Sequence, residues 1–111
     1  MDETPKGVLC NYKGKTMKTR KLTFYADPAH GWLKVDLLDC IDLDIADKIS
    51  RYSYTKGTVV YLEEDCDAGL FLDSAKNQGW TINIKETYQE NTPIRNYASY
   101  TPKLLKLLTG V

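Results

Sequence analysis

Apolar and polar residues alternate along several short runs of this chain, which is the pattern of strands in a half-buried sheet. In residues 20–25 leucine and phenylalanine alternate with threonine and tyrosine. The predicted strands span residues 20–25, 32–35, 51–55, 58–62 and 80–88. Turn signals at residues 27–31 and at Lys56 and Gly57 join the first four strands into two hairpins, because Pro and Gly favour tight turns.

Two other segments have the spacing of helices. Asp36 is a suitable N-cap for a short helix over residues 37–41. Asp65 is the expected cap of a longer helix over residues 66–78, on which Asp67 faces water. The order of the elements predicts an α+β fold, in which a five-stranded, mainly antiparallel sheet carries two helices on one face.

The chain has 111 residues, which is the size of one domain. The expected organisation is an N-terminal arm at residues 1–16, a single α+β domain at residues 17–100 and a C-terminal tail at residues 101–111. No apolar run approaches the ~18 residues of a membrane span, and the N-terminus lacks the apolar segment of a secretory signal. The three cysteines form no CxxC pair, which favours reduced thiols in the cytoplasm.

The formal net charge is zero, but the charges are unevenly distributed along the sequence. Basic residues outnumber acidic ones in residues 1–26 and 91–111, whereas acidic residues dominate residues 27–90. Such a layout bears on partners and on association rate rather than on fold. Either the acidic segment faces a basic partner, or segments of opposite sign neutralise one another in the folded chain.

Four acidic residues form the densest group of charges in the chain. The acid cluster consists of Glu63, Glu64, Asp65 and Asp67. Clustered carboxylates could chelate a hard cation such as Mg²⁺ or Ca²⁺, but the spacing lacks the order of an EF-hand loop. The favoured prediction is a helix N-terminus, where the helix dipole stabilises carboxylates, with no metal and no cofactor.

The chain contains eight tyrosines, six of them between residues 52 and 100. Tyrosine is favoured at protein–protein contacts because it buries a large area and keeps a polar group. The alternative is that many of these rings form cross-strand pairs with the hydroxyl at the surface. The predicted partner-binding residues are Glu63, Glu64, Asp67, Tyr52, Tyr54 and Tyr61.

Two other functions remain open. A small hydrolase would use His30, the single histidine, as a general base, although no Ser or Cys lies in a nucleophile motif. A nucleic-acid-binding accessory protein would use the basic arm and tail, where lysines lie beside aromatic residues. Glycine-rich phosphate-binding loops are absent from the sequence.

Four segments of the chain, HGWLKV, IADKISRYSY, VYLEEDCD and TPIRNY, are specific enough to suggest a relationship. They resemble a group of small proteins encoded by bacteriophages, conjugative plasmids and related mobile elements of Gram-negative bacteria. The resemblance covers roughly residues 17–100 and implies a bacterial cytoplasm and an accessory role. It also fits counter-defence or host takeover through binding. The group has no established activity that could be carried over to individual residues.

These observations together predict a non-catalytic binding protein that engages a host or defence-system protein through an acidic, tyrosine-rich surface. A protein partner is expected, and a membrane is not. Nucleic acid and a second copy of the chain remain alternative partners.

Overall fold

The computed structural model describes residues 17–101 of the chain. The predicted arm at residues 1–16 lies outside the described residues, as does the predicted tail beyond residue 101. The strands are β1 (Thr19–Ala26), β2 (Gly31–Asp36), β3 (Tyr54–Lys56), β4 (Val59–Glu63), β5 (Thr81–Tyr88) and β6 (Ala98–Ser99). The helices are α1 (Leu37–Asp42) and α2 (Gly69–Asn77), together with a π-helical turn (Glu64–Ala68) and a 3₁₀ helix (Pro93–Asn96).

The α+β fold class is confirmed, but the sheet differs from its predicted form. It has six strands rather than five, in the order β5-β1-β2-β4-β3-β6. The sixth strand, β6, has two residues and pairs antiparallel with β3. The outer strand β5 runs parallel to β1 over its whole length, from the Thr19–Thr81 pair to the Ala26–Tyr88 pair. The remaining pairings are antiparallel, so the sheet is mixed.

The parallel pairing of β5 follows from the helix that precedes it. The chain leaves β4, passes through α2 and enters β5. A helix between two strands carries the chain back across the sheet, and the second strand then runs in the same direction as the first. Because β4 is antiparallel to β2, and β2 is antiparallel to β1, β4 and β1 run in the same direction. A β5 that runs in the direction of β4 is therefore parallel to β1.

The two predicted hairpins are present in the structure. The β1–β2 turn closes with a hydrogen bond from the Asp27 N–H to the His30 carbonyl, and the Asp27 side chain accepts from two further backbone N–H groups. The β3–β4 turn contains Gly57 at φ +63°, which is a left-handed conformation that glycine adopts without strain.

The predicted helix caps are correct in one case and wrong in the other. Asp36 caps α1 by accepting a hydrogen bond from the Leu38 N–H. The second helical segment begins earlier than predicted, and its cap is Glu63 rather than Asp65. The Glu63 carboxylate accepts a hydrogen bond from the Asp65 N–H at 2.9 Å. Because the segment opens with a π-helical turn, its side chains point in other directions than a regular helix would give.

The sheet has an apolar cluster on each of its two faces. Both helices pack on one face, where their buried side chains join those of the central strands. This larger cluster includes Leu33, Val60, Leu37 and Phe71. A smaller aromatic cluster on the opposite face contains Trp32, Tyr61 and Ile94, and the last of these comes from the 3₁₀ helix. Within residues 17–101, no helix is both long enough and apolar enough to cross a membrane.

Candidate functional site

An open cleft lies at the edge of the smaller aromatic cluster, between the sheet, the loop before β3 and the π-helical turn. We call it the aromatic cleft, and its volume is about 480 Å³. Its aromatic and arginine lining consists of Trp32, Arg51, Tyr52, Tyr54 and Arg95. The acid cluster contributes Glu63 and Asp65 to the lining, with Cys66 next to Asp65 in sequence. The cleft therefore combines aromatic surface with charges of both signs.

Trp32 forms the floor of this cleft and is almost fully buried, with 2% of its surface exposed. The imidazole of His30 stacks on the indole at 5.9 Å between ring centroids. The Arg95 guanidinium lies 5.6 Å from the indole centroid, which is a cation–π distance. Among residues 17–101 the indole N–H of Trp32 has no hydrogen-bond partner, and neither has that of Trp80 in the larger apolar cluster. An unpaired buried donor costs free energy.

His30 contacts Arg95 through one of its ring nitrogens. Nη2 of Arg95 lies 2.9 Å from Nδ1 of His30. A guanidinium can only donate, so Nδ1 is the accepting nitrogen of this hydrogen bond. The contact therefore occupies the lone pair of Nδ1 while Arg95 is in place.

Arg95 is itself held by an ion pair with Asp27. Nη2 of Arg95 lies 3.0 Å from a carboxylate oxygen of Asp27, whose side chain is 4% exposed. Burial alone would raise the pKa of Asp27, but the N–H donors of His30 and Ala29 and the charge of Arg95 outweigh it and lower this pKa. The β1–β2 turn thus fixes the arginine above Trp32.

Asp67 is buried. Its predicted position on the helix had it facing water, so that prediction is wrong. Only 3% of the residue is exposed. Its carboxylate accepts hydrogen bonds from the Ser50 N–H at 3.1 Å and from the Ser50 hydroxyl at 2.7 Å. The fully buried hydroxyl of Ser53 also donates to it. The carboxylate therefore anchors the loop that carries Arg51 and Tyr52 into the cleft.

Glu63 is also buried, with 8% exposed, and its carboxylate lies beside the thiol of Cys66. A hydrogen bond to the Glu63 carboxylate is the main cause that raises the pKa of Cys66, and burial and the neighbouring carboxylates add to it. Cys66 is exposed and shares the cleft with His30, but its sulfur is a thiol rather than a thiolate near neutral pH. The arrangement lacks an activated nucleophile.

The three predicted tyrosines differ in accessibility. Tyr52 is 65% exposed at the mouth of the cleft, and Tyr54 is half-buried with its ring 6.3 Å from that of Trp32. Tyr61 is 8% exposed and packs against Tyr25 and Tyr97, so it belongs to the aromatic cluster beneath the surface.

Of the predicted acidic contact residues, only Glu64 is exposed, since Glu63 and Asp67 are buried. Asp65 is exposed as well and lines the cleft directly. Sequence reasoning missed Arg51 and Arg95 as cleft residues. Two signals were available, since arginine is enriched at contact sites. Arg51 lies next to Tyr52 in the sequence, and Arg95 follows the Thr-Pro start of the 3₁₀ helix.

The acid cluster does not converge on a point. Within residues 17–101, no group of three or more His, Cys, Asp or Glu side chains has the arrangement of a metal site. Comparison with known proteins adds no assignment: no protein-family model matches the chain, and neither curated proteins nor solved structures give a significant match.

Proposed function

We propose that this chain is a non-catalytic binding protein and that the aromatic cleft receives a segment of a protein partner. The observation that carries the proposal is the composition of the cleft wall. Trp32, Tyr52 and Tyr54 line it together with two arginines. Tryptophan, tyrosine and arginine are the residues that dominate binding energy at protein interfaces.

The same residues argue against hydrolysis in this cleft. His30 accepts a hydrogen bond from Arg95 on Nδ1, and the Cys66 thiol has a raised pKa because it lies next to Glu63. Nucleophilic catalysis by a Cys–His pair requires the opposite arrangement, with a thiolate stabilised by an adjacent cation. A binding role uses these groups as they stand, as donors, acceptors and stacking surface.

The mixed charge of the cleft defines the partner segment. Asp65 and Arg51 both line the cleft, and together they favour a segment that carries both a basic and an acidic side chain, flanked by apolar atoms that cover the aromatic rings. In line with the sequence resemblance, we take this partner to be a host or defence-system protein in the bacterial cytoplasm.

A capture experiment with matched variants tests this proposal. The full chain, immobilised, is exposed to lysate of the bacterial host, and captured proteins are identified by mass spectrometry. The best candidate is then purified and its binding to wild type, Tyr52→Ala and Tyr88→Ala is measured by biolayer interferometry. Tyr88 is the control because it is 61% exposed, close to the 65% of Tyr52, and lies on β5 away from the cleft.

We expect Tyr52→Ala to weaken binding by 2 kcal/mol or more, about 30-fold, through faster release, while Tyr88→Ala stays within about twofold of wild type. Equal loss in both variants, or none in either, would show that the partner does not use the cleft. Hydrolysis of a substrate by purified protein that Cys66→Ala abolishes would overturn the non-catalytic reading.

A further inference from the structure

The sheet face opposite the helices carries a second feature, which lies beside the aromatic cleft. Side chains alternate along each strand, so residues next to each other across strands lie on one face. Lys85, Thr23, Lys34 and Tyr61 occupy neighbouring positions on β5, β1, β2 and β4. Tyr61 belongs to the aromatic cluster on the face without helices, which assigns this whole row to that face.

Two more lysines lie on the same face by the same register. Lys21 is two residues from Thr23 on β1, and Lys56 is two residues from Tyr54, the partner of Tyr61 on β3. We call Lys21, Lys34, Lys56 and Lys85 the lysine face, and all four side chains are exposed. Neighbouring strands are about 4.8 Å apart, and alternate residues on one strand are about 7 Å apart. The backbone of Thr23 therefore lies within about 10 Å of the backbones of Lys21, Lys34 and Lys85.

Acidic side chains are almost absent from this face among the described residues. The register assigns Asp36 and Glu63 to it: Asp36 caps α1 and is an exposed carboxylate two residues from Lys34, whereas Glu63 is buried at the far end beside the cleft. Most of the other described carboxylates belong to the helical side and its loops, which include Asp39, Asp42, Asp44, Asp47 and Asp73. A net charge of zero thus conceals one positive sheet face and one negative helical side.

We propose that the lysine face binds the phosphodiester backbone of a single-stranded nucleic acid. Lysine is a flexible point charge that suits phosphate, and several lysines on one face neutralise several phosphates. Tyr25 and Tyr97 border the face as half-buried rings, and Lys56 lies 5.1 Å from the Tyr97 ring. Aromatic rings on an open sheet surface allow bases to stack beside the backbone contacts.

The composition of the face favours a polyanion over a protein. Thr23 and Asn83, which are neutral and polar, lie among Lys21, Lys34 and Lys85, whereas Val59 and Tyr61 lie between Lys34 and Lys56. A protein interface needs an apolar core, and lysine is depleted there, so this surface would contribute little to protein binding. A regular array of phosphates needs only the positive charges and hydrogen-bond donors that the face supplies.

The test is fluorescence anisotropy with labelled single-stranded DNA and RNA of about 20 nucleotides, longer than the ~4–16 nucleotides that a small β-domain covers. A duplex of the same length is the comparison. Wild type, the double variant Lys34→Gln/Lys85→Gln and the control Lys48→Gln/Lys76→Gln are titrated from about 50 to 200 mM salt. The control lysines are exposed on the helical side of the molecule.

We expect wild type to bind single strands with an affinity that falls as the salt concentration rises. The slope of log affinity against log salt concentration should be smaller by about 1.4 in Lys34→Gln/Lys85→Gln, since each phosphate contact contributes about 0.7 for single strands. Affinity at low salt should fall at least about 10-fold in that variant and stay within about twofold in the control. No binding at the lowest salt, equal loss in both variants, or clear preference for the duplex would overturn the proposal. Sedimentation provides one further check: if Lys34→Gln/Lys85→Gln instead dissociates a dimer, the face binds a second copy.

Discussion

The buried hydroxyl of Ser53 donates a hydrogen bond to the carboxylate of Asp67, which also accepts from Ser50. This contact joins the start of the second helical segment to the loop before β3, across 14 residues of sequence. The same hydroxyl accepts a hydrogen bond from the Glu63 N–H at 3.0 Å. Ser53 thus ties the end of β4, the π-helical turn and the loop of the aromatic cleft to one point.

Removing this anchor should destabilise the whole domain. Asp67→Ala leaves the Ser50 N–H and the two serine hydroxyls without their acceptor, and each unsatisfied buried donor costs about 1–3 kcal/mol. We expect the free energy of unfolding in urea to fall by about 3 kcal/mol. Asp73→Ala, an exposed position on α2, should change it by less than about 0.5 kcal/mol. Equal small effects at both positions would contradict the anchoring role.

The exposed acids at the mouth of the cleft should control the rate of capture rather than the rate of release. Reversing the charge in Glu64→Lys/Asp65→Lys removes long-range attraction to a basic partner, so the association rate constant should fall about 10-fold at low salt. At physiological salt, where the Debye length is ~8 Å, the difference should shrink. Biolayer interferometry with the purified partner measures both rates. Asp47→Lys/Asp73→Lys, at two other exposed acids, changes the charge by the same amount and is the control.

Cys66 should be less reactive than its exposure suggests. The Glu63 carboxylate raises the pKa of this thiol and so lowers its thiolate fraction. Glu63→Gln keeps an acceptor oxygen but removes the charge, and it should speed alkylation of Cys66 by iodoacetamide at pH 8. Peptide mass spectrometry follows each cysteine separately. Cys40, whose pKa is raised to about 12 by burial and by nearby carboxylates, should stay unmodified until the protein unfolds.

Acid should weaken the turn that holds Arg95. The folded-state pKa of Asp27 is lowered below its ordinary value of 3.8. The carboxylate therefore stabilises the fold fully above pH 3.8, and this contribution is lost as the pH falls through the folded-state pKa. Urea unfolding midpoints measured from pH 5 down to about pH 2 should decline once the pH passes below 3.8, and this decline should be smaller in Asp27→Asn. An unchanged pH profile in that variant, with Asp73→Asn as control, would show that the carboxylate does not stabilise the turn.

Local patterns in the sequence predict the local elements well. The hairpin turns and the Asp36 cap depend on residues that are neighbours in sequence, and the structure has all of them. The parallel direction of β5 was not predicted, although a helix between β4 and β5 implies a crossover. The burial of Asp67 was not predictable, since it depends on serines 14 and 17 positions earlier that only the fold brings into contact. The cleft itself is a product of such nonlocal contacts.

The position of β5 has a consequence for how the domain folds. The two hairpins join residues that are close in sequence, whereas β5 pairs with residues of β1 about 60 positions away. Closing so long a loop costs entropy before any contact compensates for it, so β5 must dock after the hairpins have formed. As one of the two edge strands it should also separate before the central strands. Backbone amides of β5 should therefore exchange with deuterium well before those of β2 and β4, so the edge of the lysine face opens while the rest of the sheet stays intact.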